Sequence, residues 1–185
     1  MRVIAGSARR LRLVTPQGND TRPTQDRIKE TLFNMLQNDV PGSVFIDLFA
    51  GSGGIGIEAL SRGASRAYFV ENSNEAYKCI LANLKTTHFE EQATVLKQDV
   101  VLGLRNIREK EADIIFIDPP YHEEHYERVL SQLSMMDYVT DTTMIVVECA
   151  LDMDFSFAEN YGLEVRRQKE YKTNKHVFLY RKAKA

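Results

Sequence analysis

The stretch Asp47-Leu48-Phe49-Ala50-Gly51-Ser52-Gly53-Gly54-Ile55-Gly56 decides the fold. It closes an apolar run, Val44–Leu48, and opens a segment with helical spacing near 54–62. Gly51, Gly53 and Gly56 satisfy G-x-G-x-x-G, a pattern whose glycines let a strand turn sharply into a helix and let the backbone approach a ligand that a Cβ would repel. Glu71 follows a second apolar run, Arg66–Val70, and stands where an acidic side chain accepts both hydroxyls of a ribose. Taken alone, the motif leaves three readings open: a dinucleotide site, a site for another adenosine-containing cofactor, and a tight turn with no ligand.

Outward from this turn the chain alternates strands with helices. Further strands read at Ala93–Lys97, Ile114–Ile117 and Met144–Glu148, and helices near 74–86, 100–108, 123–134 and, weakly, 154–160. Continuous apolar runs such as Ile114-Ile115-Phe116-Ile117 indicate strands covered on both faces, and the alternation implies a parallel sheet joined by right-handed crossovers. The fold class is therefore α/β, a doubly wound Rossmann-like sheet. Leu163–Tyr171 and His176–Arg181, joined by Lys172–Lys175, read as an antiparallel hairpin on one edge of it. Upstream, residues 1–15 read as a short hairpin carrying Arg9, Arg10 and Arg12. A helix follows with Thr24 as its N-cap and Ile28, Leu32, Phe33, Met35 and Leu36 on one stripe. The expected organisation is one domain over 1–185, with residues 1–40 as an extension of a core at 41–185.

A chain of 185 residues, 43% hydrophobic and 27% charged, excludes collagen-like, low-complexity and disordered classes. No apolar run approaches the ~20 residues that span a bilayer, and the N-terminus lacks a signal-peptide core, so a soluble cytoplasmic monomer is expected. Cys79 and Cys149 have no partners at metal-ligand spacing and read as buried fillers. The formal net charge of −2 hides an asymmetry. Residues 1–30 carry seven basic and three acidic side chains and residues 163–185 carry eight and two, against nine and twenty-one between them. A nucleic acid would have to be gripped by the two ends, if they meet in space; otherwise these are solvated faces.

Two features move the cofactor away from a dinucleotide. Asp47, just before the glycines, would repel a pyrophosphate but attract a cation, which suits S-adenosylmethionine with its sulfonium and amino group and no phosphate. Asp118-Pro119-Pro120-Tyr121 follows the fourth strand, beside the cofactor position. The prolines hold that loop extended. The Asp118 carboxylate and the Pro119 carbonyl would accept the two hydrogens of an exocyclic amine and favour the pyramidal nitrogen that attacks a methyl group. Tyr121 would stack on the base.

These two segments resemble those of class I S-adenosylmethionine-dependent methyltransferases that modify exocyclic amines. The run Arg22-Pro23-Thr24-Gln25-Asp26-Arg27-Ile28-Lys29-Glu30-Thr31-Leu32-Phe33-Asn34 resembles the signature of the RsmD family, the 16S rRNA (guanine-966-N2) methyltransferases. The likeness spans nearly the whole chain and shows no departure from the family's motifs. Asp-Pro-Pro-Tyr is shared with adenine-N6 and cytosine-N4 enzymes, so the target base rests on the upstream signature.

The resemblance implies that Asp47, Phe49, Ala50, Gly51, Gly53, Glu71 and Asn72 hold the cofactor, with Asp99 accepting from the adenine amino group or simply capping the next helix. It implies that Arg9, Arg10, Arg22, Thr24 and Arg27 face the RNA, as 16S rRNA, the small ribosomal subunit or its assembly intermediate. His88, His122, His125 and His176 follow no ligand spacing; His122 and His125, next to the Asp118 loop, read chiefly as surface residues, with RNA contact as the alternative, and no metal is expected. An oxidoreductase using NAD would leave Asp118–Tyr121 and the Arg22–Asn34 run without a role, and a non-catalytic RNA-binding module would explain only the basic ends.

Overall fold

The computed structural model describes residues 1–17, 23–120 and 123–183. Seven strands form one sheet: β1 (Val44–Leu48), β2 (Arg66–Val70), β3 (Ala93–Leu96), β4 (Ile114–Ile117), β5 (Met144–Ala150), β6 (Leu163–Glu170) and β7 (Asn174–Arg181). Their order is β3-β2-β1-β4-β5-β7-β6. β1 to β5 are mutually parallel, while β7 runs antiparallel between β5 and β6. The order reverses between β1 and β4, and the crevice outside the carboxyl ends of these two strands is where open α/β sheets bind ligands.

The helices are α1 (Pro23–Met35), α2 (Gly54–Ser61), α3 (Asn74–Thr87), α4 (Val100–Asn106) and α5 (Glu123–Leu133), with 3-10 turns at Glu90–Gln92 and Ser156–Tyr161. Strand residues alternate between two cores. Phe45, Phe69, Phe116, Val146 and Phe178 pack with Leu32 and Phe33 of α1, Leu36 just past its end, Ile57 of α2 and Ile80 of α3. Ile46, Val70, Ile117, Val147 and Leu179 pack with Leu104 of α4 and Tyr126, Val129 and Leu130 of α5. The expected doubly wound sheet with an antiparallel edge is present.

Several boundaries move. Pro23, not Thr24, begins α1, as suits a residue with fixed φ and no N–H at the first helical position. The stripe buries Leu32 and Phe33 on α1 and Leu36 in the turn after it, and leaves Ile28 and Met35 half-buried. β5 runs two residues past Glu148, and the final hairpin turns on Tyr171-Lys172-Thr173 alone, because Asn174 and Lys175 pair with Ala150 and Cys149. The weak helix near 154–160 is a 3-10 turn. Cys149 is buried, but Cys79 is only half-buried.

The expected N-terminal hairpin is present as one bridge, Arg2 with Arg12, with Val3 N donating to the Leu11 carbonyl (3.0 Å) and Leu13 N to that of Met1 (2.9 Å), and it is anchored on α2. The Glu58 carboxylate accepts from the N–H groups of Ile4 (2.9 Å) and Ala5 (3.1 Å), and Ser61 Oγ accepts from that of Ala8. Gly6, at φ 85°, is required here: a Cβ would lie 1.8 Å from the Ser61 carbonyl oxygen.

Candidate active site

A cavity of about 880 Å³ opens at the carboxyl ends of β1, β4 and β5. Phe49, Ala50, Gly51 and Ser52 form one wall, Asp118, Pro119 and Pro120 another, and Gln25, Asp26, Ile28, Lys29 and Leu32 of α1 a third. The structure thus brings the glycine turn and the Asp118 loop to one space. Tyr121 and Arg22 lie outside the described residues, as does the side chain of Thr24.

The glycine turn is braced by carboxylates from strand ends. Gly53, the N-cap of α2, has φ 82° and no side chain to cap with, and Asp47 Oδ2 does that work by accepting from Gly56 N at 2.9 Å. Gly56 lies so close to Phe69 that a Cβ would stand 2.4 Å from its ring. Gly51, at φ 57°, is different: nothing lies within 4 Å of where its Cβ would be, so its open side faces a space a ligand can enter. Phe49, a bulky residue at φ 58°, holds an uncommon backbone conformation at the same turn.

Glu71 accepts from Gly51 N (2.8 Å) on one oxygen and from Ser73 N (2.7 Å) on the other. It is therefore a brace of the turn as well as a strand end. Each oxygen keeps a second acceptor position, so ribose hydroxyls remain within its capacity. Asn72 is exposed beside it. Asp99 caps α4 through Val101 N at 3.0 Å and also pairs with Arg128 at 3.1 Å.

Burial holds the Asp47 carboxyl well above the usual range, only partly offset by the Gly56 N–H, with Asp118 and Glu71 adding repulsion. Asp118 opens onto the cavity, yet protein crowds it and Glu148 stands near. The two effects, crowding first, push its carboxyl up to about 8. No hydrogen bond reaches the Asp118 carboxylate from the described residues.

Two residues on this cavity escaped sequence reasoning. Glu148 and His176 both line it, on neighbouring strands and in register with each other. His176, for which spacing suggested no role, has no exposure at all. Its neighbourhood depends on the β5–β7 register, which spacing along the chain does not reveal. Glu148 was detectable as the fifth member of a pattern, since a carboxylate stands at or just beyond the carboxyl end of each parallel strand: Asp47, Glu71, Asp99, Asp118 and Glu148. Lys29, which the sequence marks only as one residue of the Arg22–Asn34 run, is buried, donates to the Arg2 carbonyl at 2.7 Å and pairs with Glu58 at 3.5 Å. Burial pulls its pKa down against the opposing pull of Glu58 and Asp26.

The basic residues of the N-terminus do not all meet this cavity. Arg27 is exposed on α1 but lies off the stripe of Gln25, Ile28, Lys29 and Leu32 that lines it, as the 3.6-residue period requires. Arg9 and Arg10 are exposed next to Ala8, whose N–H bonds Ser61, at the end of α2 opposite the glycine turn. They stand about 12 Å along that helix from the cavity. The hairpin's two ends do reach it, through Met1 and through Thr15 and Pro16, and His176 brings the C-terminal hairpin to the same space.

The acidic lining tests the choice of cofactor. Asp47, Asp118 and Glu148 converge on the cavity with Glu71 at the turn, and the lysine that faces it, Lys29, is already paired with Glu58. This donor set fits a phosphate-free ligand bearing positive charge and hydroxyls, as S-adenosylmethionine does, and opposes a pyrophosphate.

Comparison with known proteins agrees. The family model described as conserved hypothetical protein 95 matches residues 1–181. Ribosomal RNA small subunit methyltransferase D of Haemophilus influenzae is 36% identical over 165 residues, covering 88% of this chain and 86% of its own. The chain belongs to the ribosomal RNA small subunit methyltransferase D family. The Bacillus subtilis protein YlbH, also 36% identical, aligns over 184 residues, 98% of this chain and 99% of its own. Among solved structures, the Escherichia coli protein yhhF superposes with a TM-score of 0.83 at 28% identity, covering 100% of this chain and 99% of that one. The fold expected of this family, a class I methyltransferase sheet, is the fold observed.

Proposed function

We propose that this chain methylates the exocyclic N2 of one guanine, of the guanine-966 type, in 16S rRNA, free or within the small subunit. The coarser statement follows from membership of the family: the protein is an S-adenosylmethionine-dependent rRNA methyltransferase. Residues 1–40 would act as an RNA-facing extension of the 41–185 core within one domain.

In this reading the open side of Gly51, with Phe49, Ala50 and Gly53, takes the cofactor, Glu71 and Asn72 its ribose, Asp99 its adenine amino group, and Asp47 its positive end. The bound cofactor supplies a methyl group already activated by a sulfonium, so the transfer calls for no metal. Asp118 and the Pro119 carbonyl accept the hydrogens of the amine and orient its lone pair, Pro120 keeps their loop extended, and Tyr121 stacks on the base. Orientation supplies most of the rate, with effective molarities on the order of 10⁵ M or more. Arg9, Arg10, Arg22, Thr24 and Arg27 contact RNA, the first two at a distance from the reacting base.

The observation that carries this reading is the Asp118-Pro119-Pro120 loop entering the same cavity as the glycine turn. The test is mass spectrometry of nucleosides from 16S rRNA of a deletion strain. One N2-methylguanine should vanish and return with the wild-type gene. An unchanged N2-methylguanine content, or loss of N6-methyladenine instead, overturns the proposal.

A further inference from the structure

The transfer chemistry above leaves His176 unused, although its ring is fully buried against the cavity. Nε2 lies 3.0 Å from Glu148 Oε2, and Nδ1 lies 2.9 Å from the Tyr171 hydroxyl. Glu148 is held from its other side by Asn174 Nδ2 at 2.9 Å, and Phe116 meets the His176 ring edge-on at 6.0 Å between centroids. The sheet register explains the alignment. Ile117 pairs with Val147 and Glu148 with His176, so Asp118, Glu148 and His176 form a row across β4, β5 and β7. Neighbouring strands in such a row are about 4.8 Å apart. The row ends at Tyr171, which is partly exposed.

Methylation of an amine liberates a proton. As the nitrogen lone pair forms the new N–C bond, the pair of the S–C bond leaves on sulfur. The nitrogen stays positive until one N–H bond breaks with its electrons remaining on nitrogen. With RNA over the cavity mouth, that proton needs a way out. We propose that Glu148, His176 and Tyr171 conduct it from Asp118 to solvent. A proton passed from Asp118 through Glu148 to Nε2 of His176 releases the one on Nδ1 to the Tyr171 oxygen, whose own hydrogen passes to water.

The surroundings suit this. Crowding, with Glu148 adding to it, raises the proton affinity of the Asp118 carboxyl, so once ionised it competes for the proton that the nitrogen sheds. Burial, with Glu148 adding to it and Arg167 opposing, pushes the Tyr171 hydroxyl up to about 12, so it relays as a neutral phenol. The other charged groups on the face of the row are Lys169 of β6, in register with His176, Asp47 of β1, and Asp26 and Lys29 of α1 across the cavity, while Lys175 lies on the opposite face with Cys149.

This inference rests on the amine-methylation reading, and single-turnover transfer to 16S rRNA separates the two. Wild-type protein that methylates no guanine amine removes that reading. If wild type is active, Tyr171→Phe and His176→Gln should each slow transfer about 10-fold at pH 6.5. S-adenosylhomocysteine and RNA affinities should stay unchanged. The deficit should shrink as pH rises, and added imidazole should restore much of the rate in His176→Gln. A full rate in Tyr171→Phe, which keeps the ring and loses one oxygen, overturns the path. So does a deficit equal at every pH and untouched by imidazole, which would reduce the row to a support for Glu148.

Discussion

At the carboxyl ends of β1, β2 and β3, every strand-end carboxylate is tied to backbone N–H groups: Asp47 to Gly56, Glu71 to Gly51 and Ser73, Asp99 to Val101. At the ends of β4 and β5 none is, among the described residues. Glu148 is held by the side chains of Asn174 and His176, and Asp118 receives no hydrogen bond from the described residues. The first side is a mould whose shape is set before any ligand arrives. The second keeps acceptor capacity unspent, at the cost of a carboxyl pushed up to about 8. A pre-shaped half suits a cofactor, and a half with spare acceptors suits an incoming amine.

The largest expected effect breaks the second half alone. Asp118→Ala should reduce transfer by about 10²–10³-fold or more while leaving S-adenosylhomocysteine affinity intact, as measured by single-turnover kinetics and calorimetry. Unaltered turnover would remove Asp118 from the chemistry. The complementary change, Glu71→Ala, should weaken cofactor binding by about 1–3 kcal/mol. It should raise the cofactor KM far more than the RNA KM. Affinity within twofold of wild type would mean that Glu71 only braces the turn.

A subtler contrast lies in pH. Asp47 and Asp118 have raised pKa values in the fold, so the folded chain keeps protons that the unfolded chain releases above about 4. Stability should therefore fall as pH rises from about 4 towards 8. Asp118→Asn should show a shallower decline in Tm over pH 5–8 than wild type, and superimposable slopes would contradict the shift. The smallest effect belongs farthest from the cavity. Reversing Arg9, Arg10 and Arg12 to Glu should flatten the log–log salt dependence of RNA binding by about 2, at roughly 0.7 for each phosphate no longer neutralised. Cofactor affinity should not move. An unchanged slope would make that loop's charge a solubility feature.

The mould was legible in the sequence and much of the second half was not. Glycines at positive φ, a strand-end acid and two consecutive prolines are local devices, so Gly51, Gly53, Asp47 and Asp118 announce themselves by spacing. The β5–β7 register is a non-local property. Nothing within a few residues of His176 says that it will stand against Glu148, twenty-eight positions earlier in the chain. The position of the tip carrying Arg9 and Arg10 was not legible for the same reason. Its partner is Ser61, and proximity to a motif in sequence says little about distance from it in space.

The Glu58 carboxylate also has a consequence for how the chain comes into being. Ile4 and Ala5 must wait for a partner made 53–54 residues later. At a translation pace of about 5–20 residues per second, this segment spends roughly 3–11 s without its anchor. Val3, Ala8 and Leu13, all destined for the core, are bare during that interval. The segment that carries Met1, Thr15 and Pro16 to the cavity is thus made before the carboxylate that anchors it.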